Sequence, residues 1–209
     1  MRKLILKMSV SVDGFVARLN GQIDWIFKST DAAATDWIVV TLWQAGVHIM
    51  GSRTFHDMAA YWPTSTEKFA APMNEVPKLV FSRKGHVGIT ATESSTQALK
   101  DARRARLHKP ATVADSRWTG VPVASGELAS EIARLKAEPG KDILAHGGAR
   151  FARSLARENL VDEYRLVVHP VALGQGLPLF ADLPEPLHLT LISSTAFKSG
   201  AVAQVYRRA

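Results

Sequence analysis

The sequence predicts one α/β domain with a mostly parallel sheet and an antiparallel edge at its C-terminal end. Apolar strand-like segments alternate with helix-like segments as far as residue 169, and two further strands follow without a helix between them. The chain has 209 residues, of which 46% are hydrophobic and 22% charged. These values are ordinary for a globular protein and suffice for one sizeable core, so we expect a single domain over 1–209.

The first strand is predicted from a period of two. In Arg2–Ser11, Leu4, Leu6, Met8 and Val10 alternate with Lys3, Ile5, Lys7 and Ser9. Turn chemistry follows at Asp13-Gly14 and at Asn20-Gly21.

The next elements are predicted from helix and strand boundaries. A helix is expected over Asp31–Ala45, with Thr30 or Asp31 as its N-cap and Gly46 just past its end. The segments expected after it are a strand at Val47–Met50, a helix at Ser52–Ala60 that stops before Pro63, and a strand at Lys78–Ser82.

The second half repeats the alternation. Leu128, Ile132 and Leu135 share one face of a predicted helix, Ser125–Glu138, which Pro139-Gly140 ends. The elements expected after it are a strand at Asp142–Ala145, a helix at Ala149–Glu158, a strand at Asp162–His169, and an antiparallel pair of strands at Leu187–Ser194 and Ala201–Arg207.

Composition excludes several classes of site. Without cysteine there is no disulfide, no thiolate nucleophile and no cysteine-based zinc site, and the seven histidines lack an HExxH spacing, so no metal site is expected. The basic N-terminus lacks the unbroken apolar stretch of a signal peptide, and no segment approaches the roughly 18 apolar residues of a membrane span. We therefore expect a cytoplasmic protein without a membrane partner.

The net charge of +7 leaves three kinds of partner open: nucleic acid, an anionic membrane surface, or a phosphorylated ligand. A basic, weakly amphipathic stretch, Thr96–Lys109, is expected on the surface. Its cations favour nucleic acid only weakly, because no nucleic-acid motif accompanies them: Arg103, Arg104, Arg106 and Lys109.

Three strand-to-helix or strand-to-loop junctions carry groups that suit phosphate. The first holds Gly51, Ser52, Arg53 and Thr54, and the second holds Ser82 and Arg83. The third follows His146 and consists of Gly147, Gly148, Ala149, Arg150 and Phe151. Glycine permits close backbone approach, helix N-termini present free N–H groups, and arginine forks match phosphate oxygens. Together the junctions predict a site for a multiply phosphorylated nucleotide such as NADPH, although the Rossmann pattern GxGxxG is absent.

At this point the chain resembles the family that unites dihydrofolate reductase with the reductase domain of bacterial riboflavin biosynthesis. The matching stretches cover nearly the whole chain: 11–17, Asp24-Trp25, 50–55, 78–82, 146–148, 160–166, 169–171, 174–176, 178–180, Ser199-Gly200 and Tyr206. The resemblance implies a three-layer α-β-α fold with a central sheet of about eight strands. It also implies a stand-alone reductase, because no HxE or PCxxC deaminase pattern is present.

The resemblance also implies roles for individual residues. Ser82 and Arg83 would lie near the 2′-phosphate of NADPH, Gly51–Thr54 would bind phosphates, and Gly147-Gly148, joined by a cis peptide, would lie under the pyrophosphate. Ser9 and the pair Val16-Ala17 would flank the nicotinamide.

On the substrate side, the resemblance implies that one acid near the start of the first helix would hold a pterin-like ring. Asp36 is preferred because Trp37 follows it, as an aromatic residue does in the family, and Asp31 is the alternative. Asp13 is expected to fix its turn rather than perform chemistry, and Trp25 would wall the substrate pocket or belong to the core.

The sequence thus predicts an NADPH-dependent hydride transfer to a pteridine- or aminopyrimidine-type substrate. A reductase of another small molecule on the same scaffold, a nucleic-acid-binding protein, and a ligand-binding protein without turnover remain as alternatives. A homodimer is expected from base rates. A basic insertion of about 84–117 sets the chain apart from its relatives.

Overall fold

The computed structural model describes residues 1–85 and 118–209. The basic segment Thr96–Lys109 and nearly all of the expected insertion at 84–117 lie outside the described residues.

Ten strands are found in these two ranges: β1 (Leu4–Ser11), β2 (Phe15–Ala17), β3 (Val47–Gly51), β4 (Lys78–Phe81), β5 (Val123–Ala124), β6 (Ile143–Ala145), β7 (Glu163–His169), β8 (Leu177–Pro178), β9 (Leu189–Ala196) and β10 (Val202–Arg208). The same ranges hold five α-helices: α1 (Ala32–Trp43), α2 (Ser52–Ala59), α3 (Ala70–Glu75), α4 (Leu128–Ala137) and α5 (Ala149–Arg157). Two 3₁₀ helices complete them, Asp24–Ser29 and Trp62–Thr64.

Eight strands form one sheet in the order β5-β4-β3-β6-β1-β7-β10-β9. The first six strands of this order are parallel to one another, whereas β10 is antiparallel to both β7 and β9. A separate two-stranded ribbon joins β2 to β8. The prediction of a mostly parallel sheet with an antiparallel C-terminal edge is confirmed.

Helices cover the sheet on both sides because β1 buries both of its faces. Leu4, Leu6, Met8 and Val10 belong to a core cluster that includes residues of α4 and α5, such as Ile132 and Leu155. Ile5 belongs to a second cluster on the other side, with Leu42 of α1, Phe55 of α2 and Met73 of α3. The result is the expected three-layer arrangement, and we call the second side the α1 face of the sheet.

The predicted elements lie within a few residues of the observed ones, and the differences concern short pieces. The ribbon strands β2 and β8, the strand β5 and both 3₁₀ helices are two to six residues long, which is too short for a clear period. Helix α3 was hidden by Pro72, which the first turn of a helix tolerates because its N–H has no partner there.

Candidate nucleotide and substrate site

The strand order brings the three predicted junctions together. The junctions follow β4, β3 and β6, which are neighbours in the sheet, and parallel strands end at the same edge. Ligands of open α/β sheets bind beyond this carboxyl edge. Residues far apart in sequence thus form one continuous surface there.

The first and third junctions touch each other directly. The Gly51 N–H donates to the Gly147 carbonyl at 3.2 Å. A Cβ at Gly51 would lie 3.3 Å from Cβ of Phe151, so a side chain has little room. Phe151 in turn packs on Phe81 at the end of β4, with ring centroids 5.0 Å apart. These contacts fix the three junctions relative to one another.

The Gly147-Gly148 junction leaves no room for side chains. Their peptide bond is cis, and Gly147 has a φ of +83°, which favours glycine. A Cβ at Gly148 would lie 2.9 Å from Oγ1 of Thr54, and one at Gly147 would lie 2.9 Å from Sδ of Met8. The packing of Met8 and Thr54 against this junction therefore accounts for glycine at both positions.

Two helices begin at these glycines and point their free N–H groups at the same region. Gly51 is the N-cap of α2, which begins at Ser52, and Gly148 is the N-cap of α5, which begins at Ala149; neither cap has a side-chain hydrogen bond. Free N–H groups at a helix start favour anions.

Three exposed cations surround this edge. Arg53, Arg83 and Arg150 have neither a hydrogen bond nor an ion pair with any residue in the described ranges. Ser82 lies beside Arg83 at the end of β4, where its N–H donates to the Ala124 carbonyl at 3.0 Å. The edge thus presents glycine backbone, helix starts and guanidinium groups, which is the donor set expected for a nucleotide's phosphates.

The predicted nicotinamide neighbours lie next along the sheet. Ser9 is half-buried on β1, the strand beside β6, and Val16 and Ala17 are buried in the short ribbon strand β2. Strand β1 therefore separates the phosphate-binding edge from the β7 side of the sheet.

Lys7 is the unexpected residue of this region. It lies in the middle of β1, on the α1 face, with parallel strands on both sides. Its side chain is half-buried and has no hydrogen bond or ion pair with a described residue. Burial lowers the pKa of the Lys7 amine from 10.5 to about 8. A buried amine without a partner is costly, so a ligand is the natural counterpart.

Two neutral imidazoles flank Lys7 on the neighbouring strands. Burial, with a contribution from the Lys7 charge, lowers the pKa of His169 at the end of β7 to about 4. Burial also holds the pKa of His146 well below its usual value, and His48 and Lys7 add to this effect. His146 packs edge-on against His48, with ring centroids 4.5 Å apart. At neutral pH the amine is thus the charged member of this group.

Trp25 packs against His169. It lies in the 3₁₀ helix Asp24–Ser29, is 2% exposed, and contacts His169 edge-to-face with ring centroids 5.4 Å apart. The hydroxyl of Ser29, at the end of the same helix, lies 2.8 Å from Nδ1 of His169. Trp25 therefore belongs to the core, and its role as a wall of the substrate pocket stays a prediction.

Asp13 and Asp31 hold the backbone in place. Asp13 accepts hydrogen bonds from the Ser11 hydroxyl at 2.5 Å and from the Gly174 N–H at 2.8 Å, and the Ser11 bond is the largest cause of its lowered pKa. Asp31 caps α1 by accepting from the Ala34 N–H at 2.8 Å, and accepts from the Ser199 N–H at 2.9 Å. Each carboxylate is occupied by groups of this chain.

The placement of Asp36 goes against its selection as the substrate acid. The buried residues Ala34, Thr41 and Leu42 mark the sheet-facing side of α1. At about 100° per residue, Asp36 lies about 180° from that side. Its carboxylate is 59% exposed and pairs with Lys68 at 2.7 Å. The preference rested on Trp37 as a sequence neighbour, which does not determine the face of the helix.

Lys7 and His169 were not predicted as site residues, and His146 was given no role of its own. For Lys7, the sequence does contain a signal. Lys7 interrupts a strand that is expected to lie in a parallel sheet covered on both sides. A charged residue in the middle of such a strand loses much of its contact with water and therefore indicates a site. No comparable signal distinguishes His169.

The fold and this edge define the chain as a dihydrofolate-reductase-like α/β protein. A family model described as "RibD C-terminal domain" matches residues 2–203, and the chain belongs to that family. This domain is the reductase part of RibD, which supports an oxidoreductase role connected with riboflavin biosynthesis.

Individual relatives agree with the family assignment. The protein YyaP of Bacillus subtilis is 32% identical over 210 residues, covering 98% of this chain and 94% of YyaP. The crystal structure of a pyrimidine reductase-like protein from Corynebacterium diphtheriae matches with a TM-score of 0.65 at 15% identity, covering 100% of this chain and 92% of that one. A deaminase/5-amino-6-(5-phosphoribosylamino)uracil reductase from Thermotoga maritima matches with a TM-score of 0.66 at 16% identity, covering 100% of this chain and 57% of that one.

The described ranges contain neither a membrane-spanning helix nor a cluster of metal ligands. None of the helices there has the length and apolar character needed to cross a membrane. No group of three or more His, Cys, Asp or Glu residues in 1–85 and 118–209 is arranged to hold a metal ion. The cytoplasmic location stays a prediction.

Proposed function

We propose that the protein is an NADPH-dependent reductase that transfers a hydride to a substrate of the pteridine or aminopyrimidine type, onto an electron-poor carbon of its heterocycle or of an imine. One observation carries the proposal: three phosphate-suited junctions, separated by about 30 to 65 residues in the chain, follow three adjacent parallel strands. Family membership supports the reductase activity and the choice of cofactor.

NADPH fits this edge of the sheet because each of the three junctions has an arginine, and two of them also have glycine at the start of a helix. Gly147 and Gly148, which follow β6 and precede the free N–H groups of α5, would lie against the pyrophosphate. The N-terminus of α2 and Arg53 would hold the adjoining phosphate, and Ser82 and Arg83 the 2′-phosphate. The cofactor supplies the hydride when bound.

Ser9, Val16 and Ala17 would orient the nicotinamide against the substrate ring and exclude water from it. Val16 and Ala17 are 4% and 6% exposed, so they form a dry wall. Holding two reacting rings in contact removes much of the entropic barrier to a bimolecular transfer.

Lys7 would hold and donate the proton on the substrate side. A C=N group that accepts a hydride on carbon gains an electron pair on nitrogen, and the Lys7 ammonium would stabilise that charge and transfer its proton to the nitrogen. A pKa of about 8 keeps the amine mostly protonated at neutral pH while making it a better acid than an ordinary lysine. The neutral states of His146 and His169 leave this charge without competition.

The relatives and this polar group both support a pyrimidine-type substrate. The Thermotoga protein is named for an aminouracil reductase, and the Corynebacterium protein for a pyrimidine reductase. Lys7 is a donor and suits a ring that carries carbonyl oxygens, as a uracil does. A diaminopyrimidine ring would instead require a carboxylate, and both Asp31 and Asp36 have other partners.

The test measures cofactor binding and turnover separately. Calorimetric titration should show NADPH binding at least about tenfold tighter than NADH, as expected for one extra charge-assisted phosphate contact. NADPH oxidation should then be followed with a phosphoribosylaminouracil, free aminouracils and dihydrofolate. Equal affinity for NADPH and NADH would contradict the assignment of Ser82 and Arg83 to the 2′-phosphate. If NADPH binds but no compound of the panel oxidises it, the proposed turnover is contradicted. The protein would then be a ligand-binding protein with the fold of a reductase.

A further inference from the structure

Two cations face each other in the middle of the sheet. Lys7 of β1 and Arg165 of β7 are direct partners in the parallel register, and both lie on the α1 face. Like charges placed opposite each other on neighbouring strands are destabilising, and burial strengthens their repulsion. Lys7 is half-buried and the side chain of Arg165 is 17% exposed, so water screens the repulsion only in part. Another group must therefore keep the two charges apart.

Glu163 is placed to do this. It lies two residues before Arg165 on the same face of β7, is 3% exposed, and accepts a hydrogen bond from Nε of Arg165 at 2.8 Å. Its other carboxylate oxygen accepts from Nε of Arg207 on β10 at 3.1 Å. Burial raises the pKa of Glu163, but the hydrogen bonds from Arg165 and Arg207 outweigh burial and hold the pKa below its usual value. The carboxylate is therefore ionised at neutral pH and compensates the charge of Arg165.

The contacts of Arg165 draw its guanidinium toward the amino edge of the sheet. Glu163 pairs with Ile5, which precedes Lys7 by two residues on β1. A second nitrogen of the guanidinium, Nη1, donates to Gln44 at 2.6 Å, and Gln44 is the C-cap of α1, shortly before the start of β3. Burial accounts for the lowered pKa of Lys7, about 8. The guanidinium is thus held on the side away from the Lys7 amine.

The other charged and titratable groups around Lys7 do not replace Glu163. His146 and His169 on the neighbouring strands are neutral at neutral pH, because burial lowers the pKa of each. The acids of α1 are occupied elsewhere, since Asp31 caps the helix and Asp36 pairs with a lysine on the outer side. The remaining groups on the neighbouring elements are His48, Lys78, Arg207 and the ion pair between Arg18 and Asp24.

We propose that Glu163 is a positioning residue, which holds the guanidinium of Arg165 away from Lys7 and thereby keeps the Lys7 amine protonated near neutral pH. The separation of charge follows from the contacts above, whereas its use in catalysis rests on the proposed proton transfer from Lys7. Without the carboxylate, the charge of Arg165 would be uncompensated beside the amine, which would then lose its proton at a lower pH. Glu163 therefore sets the upper limit of the pH range in which Lys7 can donate a proton.

Nuclear magnetic resonance of the full chain with isotope-labelled lysine measures the Lys7 pKa without any substrate. The Lys7 signal is the one that Lys7→Met lacks. In Glu163→Gln this pKa should fall by at least about 0.5, because an uncompensated cation lies on the neighbouring strand. In Arg165→Gln it should rise by a similar amount, because Glu163 loses one of its two cations. The double variant removes one charge of each sign and should return the Lys7 pKa to within about 0.2 of the wild type.

The matched control is Glu131→Gln, which removes the acid of an ion pair with Arg134 on α4, on the other side of the sheet. It should leave the Lys7 pKa unchanged. Circular dichroism shows which variants fold, and the opposite signs of the two single substitutions exclude a general loosening of the sheet. If Glu163→Gln does not fold, a rise in Arg165→Gln and a return in the double variant remain required. A Lys7 pKa that stays in place in Glu163→Gln, or moves in the same direction in both single variants, would overturn the positioning role.

The pH profile of NADPH oxidation distinguishes this inference from the proposed function. The alkaline limb of the profile should lie near about pH 8 in the wild type and should move to lower pH in Glu163→Gln by the same amount as the Lys7 pKa. A loss of turnover of equal size at every pH, with the Lys7 pKa unchanged, would make Glu163 purely structural and overturn the proposal. A shifted Lys7 pKa with a pH profile that stays in place would support the separation of charge by Glu163 and contradict Lys7 as the proton donor.

Discussion

Replacing Lys7 by methionine should make the protein more stable and less active at once. Methionine has a similar length and no charge, so it fills the same space in β1 without the cost of a buried amine. The fall in pKa from 10.5 to about 8 corresponds to about 3.4 kcal/mol at about 1.36 kcal/mol for each pKa unit. Lys7 is only half-buried, so water screens part of this cost. We expect a gain of about 1–2 kcal/mol in the free energy of unfolding at pH 7.

The pH dependence of this gain has a defined sign. The folded protein holds the Lys7 proton less tightly than the unfolded chain does, so the unfolded chain binds more protons between about pH 8 and pH 10.5. Wild-type stability attributable to Lys7 therefore rises with pH in this window. Methionine has no proton to lose, so the advantage of the variant is full below about pH 8 and disappears above about pH 10.5.

Urea unfolding of both proteins at pH 7 and at pH 11 measures this difference, and other titrating groups cancel because both proteins share them. The control is Lys3→Met, which changes an exposed lysine just before β1 and should alter stability by less than about 0.5 kcal/mol. NADPH oxidation with a working substrate should fall by at least about 100-fold in Lys7→Met, with cofactor affinity nearly unchanged. A variant less stable than the wild type at pH 7, or an advantage that persists at pH 11, would refute the interpretation of Lys7.

Four further substitutions test the phosphate-binding edge and the two acids. Gly148→Ala places a Cβ 2.9 Å from Oγ1 of Thr54, and the N-cap φ of −65° accepts alanine, so calorimetry should show NADPH affinity reduced at least about tenfold with a similar melting temperature. Arg83→Ala should weaken NADPH about tenfold and leave NADH unchanged; a similar loss for both would move the 2′-phosphate elsewhere. Asp31→Ala should lower the melting temperature by several degrees because two backbone N–H groups lose their acceptor, whereas Asp36→Asn should leave turnover and melting temperature close to wild type. If Asp36→Asn loses most of its turnover, Asp36 is the substrate acid, as the sequence predicts.

The fold was predictable because its signals are local. The alternation of Leu4, Leu6, Met8 and Val10 and the glycines at Gly51 and Gly148 mark strand and junction directly in the sequence. Neighbouring strands could not be deduced in the same way, because β6 lies between β3 and β1 while almost a hundred residues separate it from β3 in the chain. The resemblance to a known family supplied that order, and with it the convergence of the junctions.

The substrate side was less predictable because it depends on helix phase. Asp31 and Asp36 differ by five residues, or about 140° around a helix, and the sequence of α1 is apolar on nearly all sides. The residue pattern therefore does not show which side of α1 is buried. Only the burial of Ala34 and Leu42 in the structure shows which side faces the sheet. A choice between two acids by neighbouring residue types alone had no physical basis.

Lys7 shows how the same sheet can supply both stability and chemistry. A central parallel strand is the most rigid place in such a fold, and burial between two helical layers is what lowers the pKa of the amine. Loops could present a lysine at lower cost, but they would leave its pKa near 10.5 and its position variable. The stability lost at position 7 is thus inseparable from the property that makes the amine useful, because desolvation causes both. A protein that binds a ligand without turnover would not need an amine that lowers its stability. Measuring both the unfolding free energy and the NADPH oxidation of Lys7→Met therefore also distinguishes a reductase from a binding protein.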